Sequence, residues 1–304
     1  MTLKIRIMRN RKELLSVRKT INRPLILDGA IGSLLQTEND MQESPLWSSQ
    51  FNLTNPELVQ NVHQQYISAG ADIITTNTFR TNPATLSKVD LSDKVSIIVR
   101  KSVQLVFNAV DKTEKNDIII AGSNPPAEDS YQKERMLSPT KLEYNHKKHI
   151  ELLWENGCDF ILNETNSHFD EIKIITKFCN ENNIPFVVSL FFDEDLNILS
   201  GESLDIVIEY IKNYSPLAIS VNCIKQNDFN KVLKHDYFSE ISAFYLNAGS
   251  GNYFDKEISC GVSPENYLEI IKSTKRKDFI FVGSCCGSNP EHTRLLKDYF
   301  SEKN

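Results

Sequence analysis

Eight short apolar runs recur along the chain, and between them lie stretches whose apolar residues return every three or four positions. The runs are Pro24–Gly29, Ala71–Phe79, Asp117–Asn124, Asp159–Thr165, Pro185–Phe192, Leu217–Cys223, Ala243–Gly249 and Phe279–Gly283. Most are continuously hydrophobic, as strands of a parallel sheet covered on both faces should be. The stretches between them read as helices. Thr54-Asn55-Pro56-Glu57 supplies a cap, a first-turn proline and an early acid, Leu58, Val62, Tyr66 and Ile67 form a stripe, and Gly70 ends it. Ile172, Ile175, Phe178 and Cys179 make a second stripe, which puts Cys179 in the core. Eight strand–helix units predict an α/β fold, a single (β/α)8 TIM barrel over residues 24–304. An open dinucleotide-binding sheet is disfavoured, because no G-x-G-x-x-G follows the first run.

Length and composition agree with one soluble barrel: 304 residues, 40% hydrophobic and 24% charged. A net charge of −6 gives nucleic acid no electrostatic footing. No apolar stretch approaches the ~18 residues of a membrane span. Six cysteines without a secretory leader point to a reducing compartment, so a cytoplasmic location is expected. Residues 1–23 form a basic extension, with eight Lys and Arg residues against Glu13. An organelle transit peptide is one reading of it. The missing serine enrichment favours a solvated arm, or a start at Met8.

A barrel of this kind assembles its site at the carboxyl ends of the strands. Those ends carry Asp28, Asn77, Asn124, Glu164, Asn222 with Cys223, Asn247, and Cys285 with Cys286. Singly, many have structural explanations: Asp28-Gly29 can be a turn, and Asn247 a helix cap. The cysteines are harder to dismiss. Adjacent Cys285 and Cys286 are poorly placed to bridge each other, whereas thiolates select zinc in tetrahedral sites. With Cys223 they outline a Zn²⁺ site with one open position, for which Asn247 is the candidate resting ligand. The long connection from Asn124 to Pro139 reads as an active-site loop. The six histidines form no H-E-x-x-H pattern and read as surface or helix-packing residues.

Together these motifs resemble the homocysteine S-methyltransferase family. They are Asp28-Gly29-Ala30-Ile31-Gly32-Ser33, the run from Ala69 to Phe79, Asn163-Glu164-Thr165 with Asp170-Glu171, Val221-Asn222-Cys223 and Gly283-Ser284-Cys285-Cys286-Gly287. Ser284 stands where the family usually has glycine, and Ser33 where it has threonine. The resemblance implies zinc on the three cysteines and methyl transfer from a small donor to the thiol of homocysteine, giving methionine. Asp28 and Glu164 would accept from its ammonium, backbone N–H groups after Gly29 would take its carboxylate, and Asn222 and Asn247 would line the pocket. Thr165 replaces an aromatic residue of the betaine-using branch, which favours a sulfonium donor, S-methylmethionine first, over betaine. S-adenosylmethionine and a corrinoid partner stay open. Arg80 could pair with the donor's carboxylate or be a solvated loop arginine. Glu128, Asp129 and Tyr131 would shape the donor side, and Trp47 could add to a cation cage. Two other readings remain: a closed, non-catalytic zinc site completed by Cys260, and a metallohydrolase, which the lack of histidine ligands disfavours.

Overall fold

The computed structural model describes residues 21–38, 44–113, 115, 117–253, 255 and 257–302. Its parallel strands are β1 (Leu25–Ile26), β2 (Ile73–Thr75), β3 (Ile119–Asn124), β4 (Phe160–Asn166), β5 (Phe186–Leu190), β6 (Ala218–Asn222), β7 (Ala243–Leu246) and β8 (Phe281–Ser284). Neighbours follow the order β1-β8-β7-β6-β5-β4-β3-β2. The ring closes between the two ends of that list. Leu27 bridges Ile73 in parallel, Asp72 N–H donates to Ile26 O at 2.7 Å, and Asp28 N–H donates to Ile73 O at 2.9 Å. The architecture is the single (β/α)8 TIM barrel expected from the eight apolar runs.

Inside the ring, alternate residues fill the barrel: Leu25 and Leu27, Ile119 and Ala121, Phe160 and Leu162, Ala243 and Tyr245 form one buried cluster. The residues between them, such as Ile26, Ile120, Ile161 and Phe244, belong to the larger cluster under the helices. Burial on both faces explains why the strands read as continuous apolar runs. Several runs outlast their strands, because residues such as Phe191 and Phe192 stay buried after the ladder ends. The helix Pro56–Ala69 forms as its sequence dictates. Asn55 Oδ1 accepts from Leu58 N–H at 3.3 Å, Pro56 fills the first turn, and Gly70 turns left-handed at φ 103°.

The amino-terminal end of the barrel is tied by charge. Arg23 donates to Asp72 at 2.6 and 3.0 Å, Lys297 from the last helix, Pro290–Ser301, reaches the same carboxylate at 3.0 Å, and Ile26 N–H adds a fourth bond at 2.8 Å. Arg23, counted above with the basic extension, is thus part of the barrel. The rest of that extension up to residue 20 lies outside the described residues.

Of the two roles expected for the histidines, surface exposure needs correction. His63, His146, His149, His168 and His292 are buried, and His146 and His149 belong to a polar network rather than to a surface. His149 Nδ1 bonds Asn124 Oδ1 at 2.9 Å, and His146 Nε2 bonds Glu171 Oε2 at 2.7 Å. Asn124 in turn donates to Asn163 Oδ1 at 2.7 Å. Burying that much polarity is tolerable because nearly every member has a partner. Glu171 also accepts from Ala127 N–H at 3.0 Å and pairs with Arg135, so the helix Phe169–Glu181 anchors both sides of the connection after β3.

Candidate active site and metal centre

A cavity of about 480 Å³ opens at the carboxyl ends of the strands. Its lining includes Asp28, Gly29, Asn77, Arg80, Asp129, Tyr131, Glu164, Cys223, Cys285 and Cys286. The three sulfurs meet there: Cys223 Sγ lies 3.1 Å from Cys285 Sγ and 3.4 Å from Cys286 Sγ, and the adjacent pair are 3.9 Å apart. Three sulfurs at the usual Zn–S distance in a tetrahedron would be about 3.8 Å apart, so the cluster needs only a slight expansion to hold such an ion. Among the described residues it is the one group of three or more His, Cys, Asp or Glu side chains spaced for a metal. Cys260 is not part of it. That thiol is exposed and donates to Val262 O at 3.3 Å, which removes the fourth thiolate that a closed site would need.

Left to themselves the thiols share protons. Hydrogen bonds from Cys285 and Cys286, then one from Tyr131, hold the Cys223 thiol well below its ordinary pKa. The other two are pushed up, first by their bonds with Cys223. Tyr131 Oη donates to Cys223 Sγ at 3.2 Å. Its ring stacks on Tyr253, with centroids 4.8 Å apart, and meets Phe191 edge-on at 5.0 Å.

Two carboxyl groups line the same cavity as the thiols. Inward alternation along β4 runs Phe160, Leu162, Glu164, and along β3 it runs Ile119, Ala121, Ser123, so polarity begins where the packed interior ends. Ser123 Oγ donates to Glu164 Oε1, and Tyr245 Oη donates to Oε2 at 3.2 Å. Burial raises the Glu164 pKa to about 7, against these two bonds and with help from the Cys223 charge. Asp28 is 2% exposed. It accepts from Thr75 N–H at 2.8 Å and from Thr75 Oγ1 at 3.1 Å. Burial dominates there also, and with the Glu164 charge it keeps the Asp28 carboxyl well above the usual range. Two buried carboxyls facing one cavity are set to receive a cation.

The start of the helix Ile31–Glu38 lines the same space. Ala30 N–H is already taken by Ser288 Oγ at 3.1 Å, so an incoming carboxylate would have to use its neighbours. Gly29 and Gly32 are needed for clearance. A Cβ at Gly29 would lie 2.7 Å from Ser288 Oγ, and one at Gly32 would lie 2.1 Å from the Trp47 ring.

Asn222 and Asn247 stand outside the cavity lining. Asn222 Oδ1 accepts from Thr165 N–H at 2.9 Å and its Nδ2 donates to Thr165 Oγ1 at 2.9 Å. Thr165 and Cys223 both have left-handed backbones, at φ 55° and 58°, unusual for a β-branched residue above all. Asn222 therefore holds the bend after Glu164 from the position before Cys223. Asn247 Oδ1 accepts from Gly249 N–H at 2.7 Å. Glu128, read above as a donor-side acid, is also turned away, accepting from Met136 N–H at 3.0 Å and pairing with Arg135 at 3.5 Å. Asp129 and Tyr131 from the same loop do reach the cavity, as do Arg80 and Trp47.

Ser123, Tyr245 and Thr75 were missed in the sequence. The signal existed for all three: each is the next inward-facing position after a packed apolar one, Ile73, Ala121 or Ala243, on its strand. Nothing local marks Tyr253, which arrives from a loop between β7 and the next helix.

The fold and site define a class: a TIM barrel with three converging cysteine thiols beside buried carboxyls at its catalytic mouth. Residues 25–300 match the family model "Homocysteine S-methyltransferase", and the chain belongs to that family. Among curated proteins it is 24% identical to the homocysteine S-methyltransferase of Escherichia coli K12, over 90% of this chain and 94% of that one. It is also 24% identical to the selenocysteine Se-methyltransferase of Brassica oleracea var. italica, over 89% and 87%. Among solved structures, the oxidized form of the homocysteine methyltransferase MmuM from Escherichia coli superposes with a TM-score of 0.79 at 22% identity, covering 96% of this chain and all of that one. The metallated form gives 0.77 at 21% identity. Among the described residues no helix is long and apolar enough to cross a membrane.

Proposed function

We propose that this protein moves a methyl group from a sulfonium donor, S-methylmethionine first among them, to the thiol of homocysteine, giving methionine. The observation that carries the proposal is the convergence of Cys223, Cys285 and Cys286 with Glu164 and Asp28 in one cavity. A free thiol titrates near 8.5 and only the thiolate attacks, so homocysteine needs activation at neutral pH. Zn²⁺ held by the three cysteines would supply it, since a coordinating thiol is deprotonated outright. Asn247 is our proposal for the resting fourth ligand, which requires its Oδ1 to release Gly249 N–H.

The chain's own residues do the rest. Glu164, steadied by Ser123 and Tyr245, and Asp28, steadied by Thr75, accept from the substrate ammonium and fix its sulfur at the thiol cluster. The N–H groups around Gly29 receive its carboxylate. The substrate sulfur forms a bond to the donor's methyl carbon as the methyl–sulfonium bond breaks. That electron pair stays on the donor sulfur, which becomes a neutral thioether, and the thiol proton passes to solvent. Positioning of the two reactants supplies much of the rate.

Aromatic side chains line the cavity, but Tyr131 and Tyr253 spend their facing rings on each other. Those two rings are less free to enclose a trimethylammonium, which supports a sulfonium over betaine. A donor panel with homocysteine and the zinc-loaded protein tests this, with methionine detected by mass. S-methylmethionine should be turned over and betaine should not. Comparable rates with both would remove the sulfonium preference.

A further inference from the structure

The cavity contains a charged pair that the homocysteine site does not use. Arg80 and Asp129 both line it. Arg80 follows β2 at the rim, where its own N–H is held by Ser49 Oγ at 3.2 Å. Asp129 is two residues from Tyr131, whose hydroxyl touches the Cys223 thiol. The side chain of Arg80 is 23% exposed, and its nearest carboxylate oxygen, Asp129 Oδ2, is 3.8 Å away. That distance is too long for a hydrogen bond. Among the described residues the guanidinium donates no hydrogen bond at all, and Phe79 lies under it with the ring centroid at 5.4 Å. Other cavity charges are satisfied differently: Asp28 and Glu164 have two hydroxyl or amide donors each, whereas Arg80 keeps its planar fork open.

A bare guanidinium is out of place beside a methyl donor that is itself a cation. It fits if the donor also carries an anion. Homocysteine is accounted for at the floor, with its ammonium on Glu164 and Asp28, and attack along the line of the breaking bond puts the donor on the outer side of the thiols. Tyr131 contacts the Cys223 thiol, and Asp129, two residues before it, and Arg80 line the same cavity away from the two carboxyls that take the homocysteine ammonium. Guanidinium suits a carboxylate bidentately, and Asp129 Oδ2 next to it suits an ammonium attached to the same carbon.

We propose that Arg80 and Asp129 form the donor's head-group clamp, Arg80 taking an α-carboxylate and Asp129 the adjoining α-ammonium, so that the enzyme selects a sulfonium bearing a whole amino-acid end. This rests on the sulfonium reading above and names the residues that choose among sulfoniums. The amino-acid end discharges the open fork of Arg80 and offsets its repulsion of the sulfonium. A sulfonium without a head group leaves that repulsion unopposed. A sulfonium with a carboxylate but no ammonium satisfies Arg80 alone.

Three donors separate these cases: S-methylmethionine, dimethylsulfoniopropionate and trimethylsulfonium, each assayed with wild type, Arg80→Gln and Asp129→Asn. Loss of charge-assisted hydrogen bonds should raise the KM of Arg80→Gln for S-methylmethionine about 10- to 100-fold. The KM for homocysteine and the zinc content should be unchanged, and trimethylsulfonium should be used as well as before or better. Asp129→Asn should weaken S-methylmethionine and spare dimethylsulfoniopropionate. A structural role for the pair would instead lower turnover of all three donors in parallel or raise the homocysteine KM, and either result overturns the clamp. Unchanged donor preference in both variants overturns it too. A wild-type protein that binds homocysteine but uses no sulfonium refutes the sulfonium reading and the clamp together, a result distinct from active variants with unaltered preference.

Discussion

At the scale of single residues, the cavity places carboxyl groups where burial makes their charge costly. Glu164, with its pKa raised to about 7 mainly by burial, is half protonated near neutrality. An ammonium binds its ionised form, so affinity for the substrate's amino group should fall as pH drops through about 7 and level off above it. Methionine tests this cleanly, since it carries the ammonium without a titrating thiol. Its dissociation constant should rise below pH 7 in wild type. In Glu164→Gln it should be weaker by about ten- to a hundredfold and show no step near 7. The same step in the variant would assign the titration to another group.

The thiols and acids were legible because their chemistry is carried by residue type. Cysteines and carboxylates at strand ends stand out wherever the third dimension later puts them. Asn222 shows the limit of that reading. Polarity at a strand end promised contact with substrate, yet its amide is spent on Thr165, and only the left-handed backbone at Thr165 reveals why an amide is needed there.

Among elements, strand number and order followed from apolar runs because a sheet buried on both faces leaves an uninterrupted hydrophobic signature. Loops were less readable. The connection after β3 was expected to border the site, and Tyr131 and Asp129 do, but Glu128 turns back to Arg135, which pairs in turn with Asp170 and Glu171 on the helix Phe169–Glu181. No spacing rule pairs residues 36 positions apart in that way. At the opposite end of the barrel, Asp72 joins the starts of β1 and β2 to the last helix. Burial alone would raise its pKa, but the Arg23 hydrogen bond and the Arg23 and Lys297 charges outweigh that and hold it below the usual value. A depressed carboxyl contributes stability above its unfolded value, near 3.9, that is lost as pH falls through the folded one. Asp72→Asn should therefore lower unfolding stability by about 2–3 kcal/mol at neutral pH. Urea melts of variant and wild type should converge below about pH 4. A constant gap down to pH 2 would mean the carboxylate charge is not what ties this end together.

For the whole molecule, the barrel explains why one cavity gathers everything. Parallel strands deliver their carboxyl ends to one rim, and helices on the outside leave that rim free for loops. The shape of the donor side was the least legible feature, because Arg80, Asp129 and Tyr131 come from two loops whose relative placement no local pattern encodes. The central claim is that the three thiols activate homocysteine for methyl transfer in this cavity. Its most direct measurement uses homocysteine deuterated along its carbon chain, with S-methylmethionine as donor and mass detection of deuterated methionine, comparing wild type with Cys286→Ser. The wild-type protein should form deuterated methionine, and the folded Cys286→Ser protein should form essentially none and bind no zinc. Equal methionine formation by the two proteins would contradict the account.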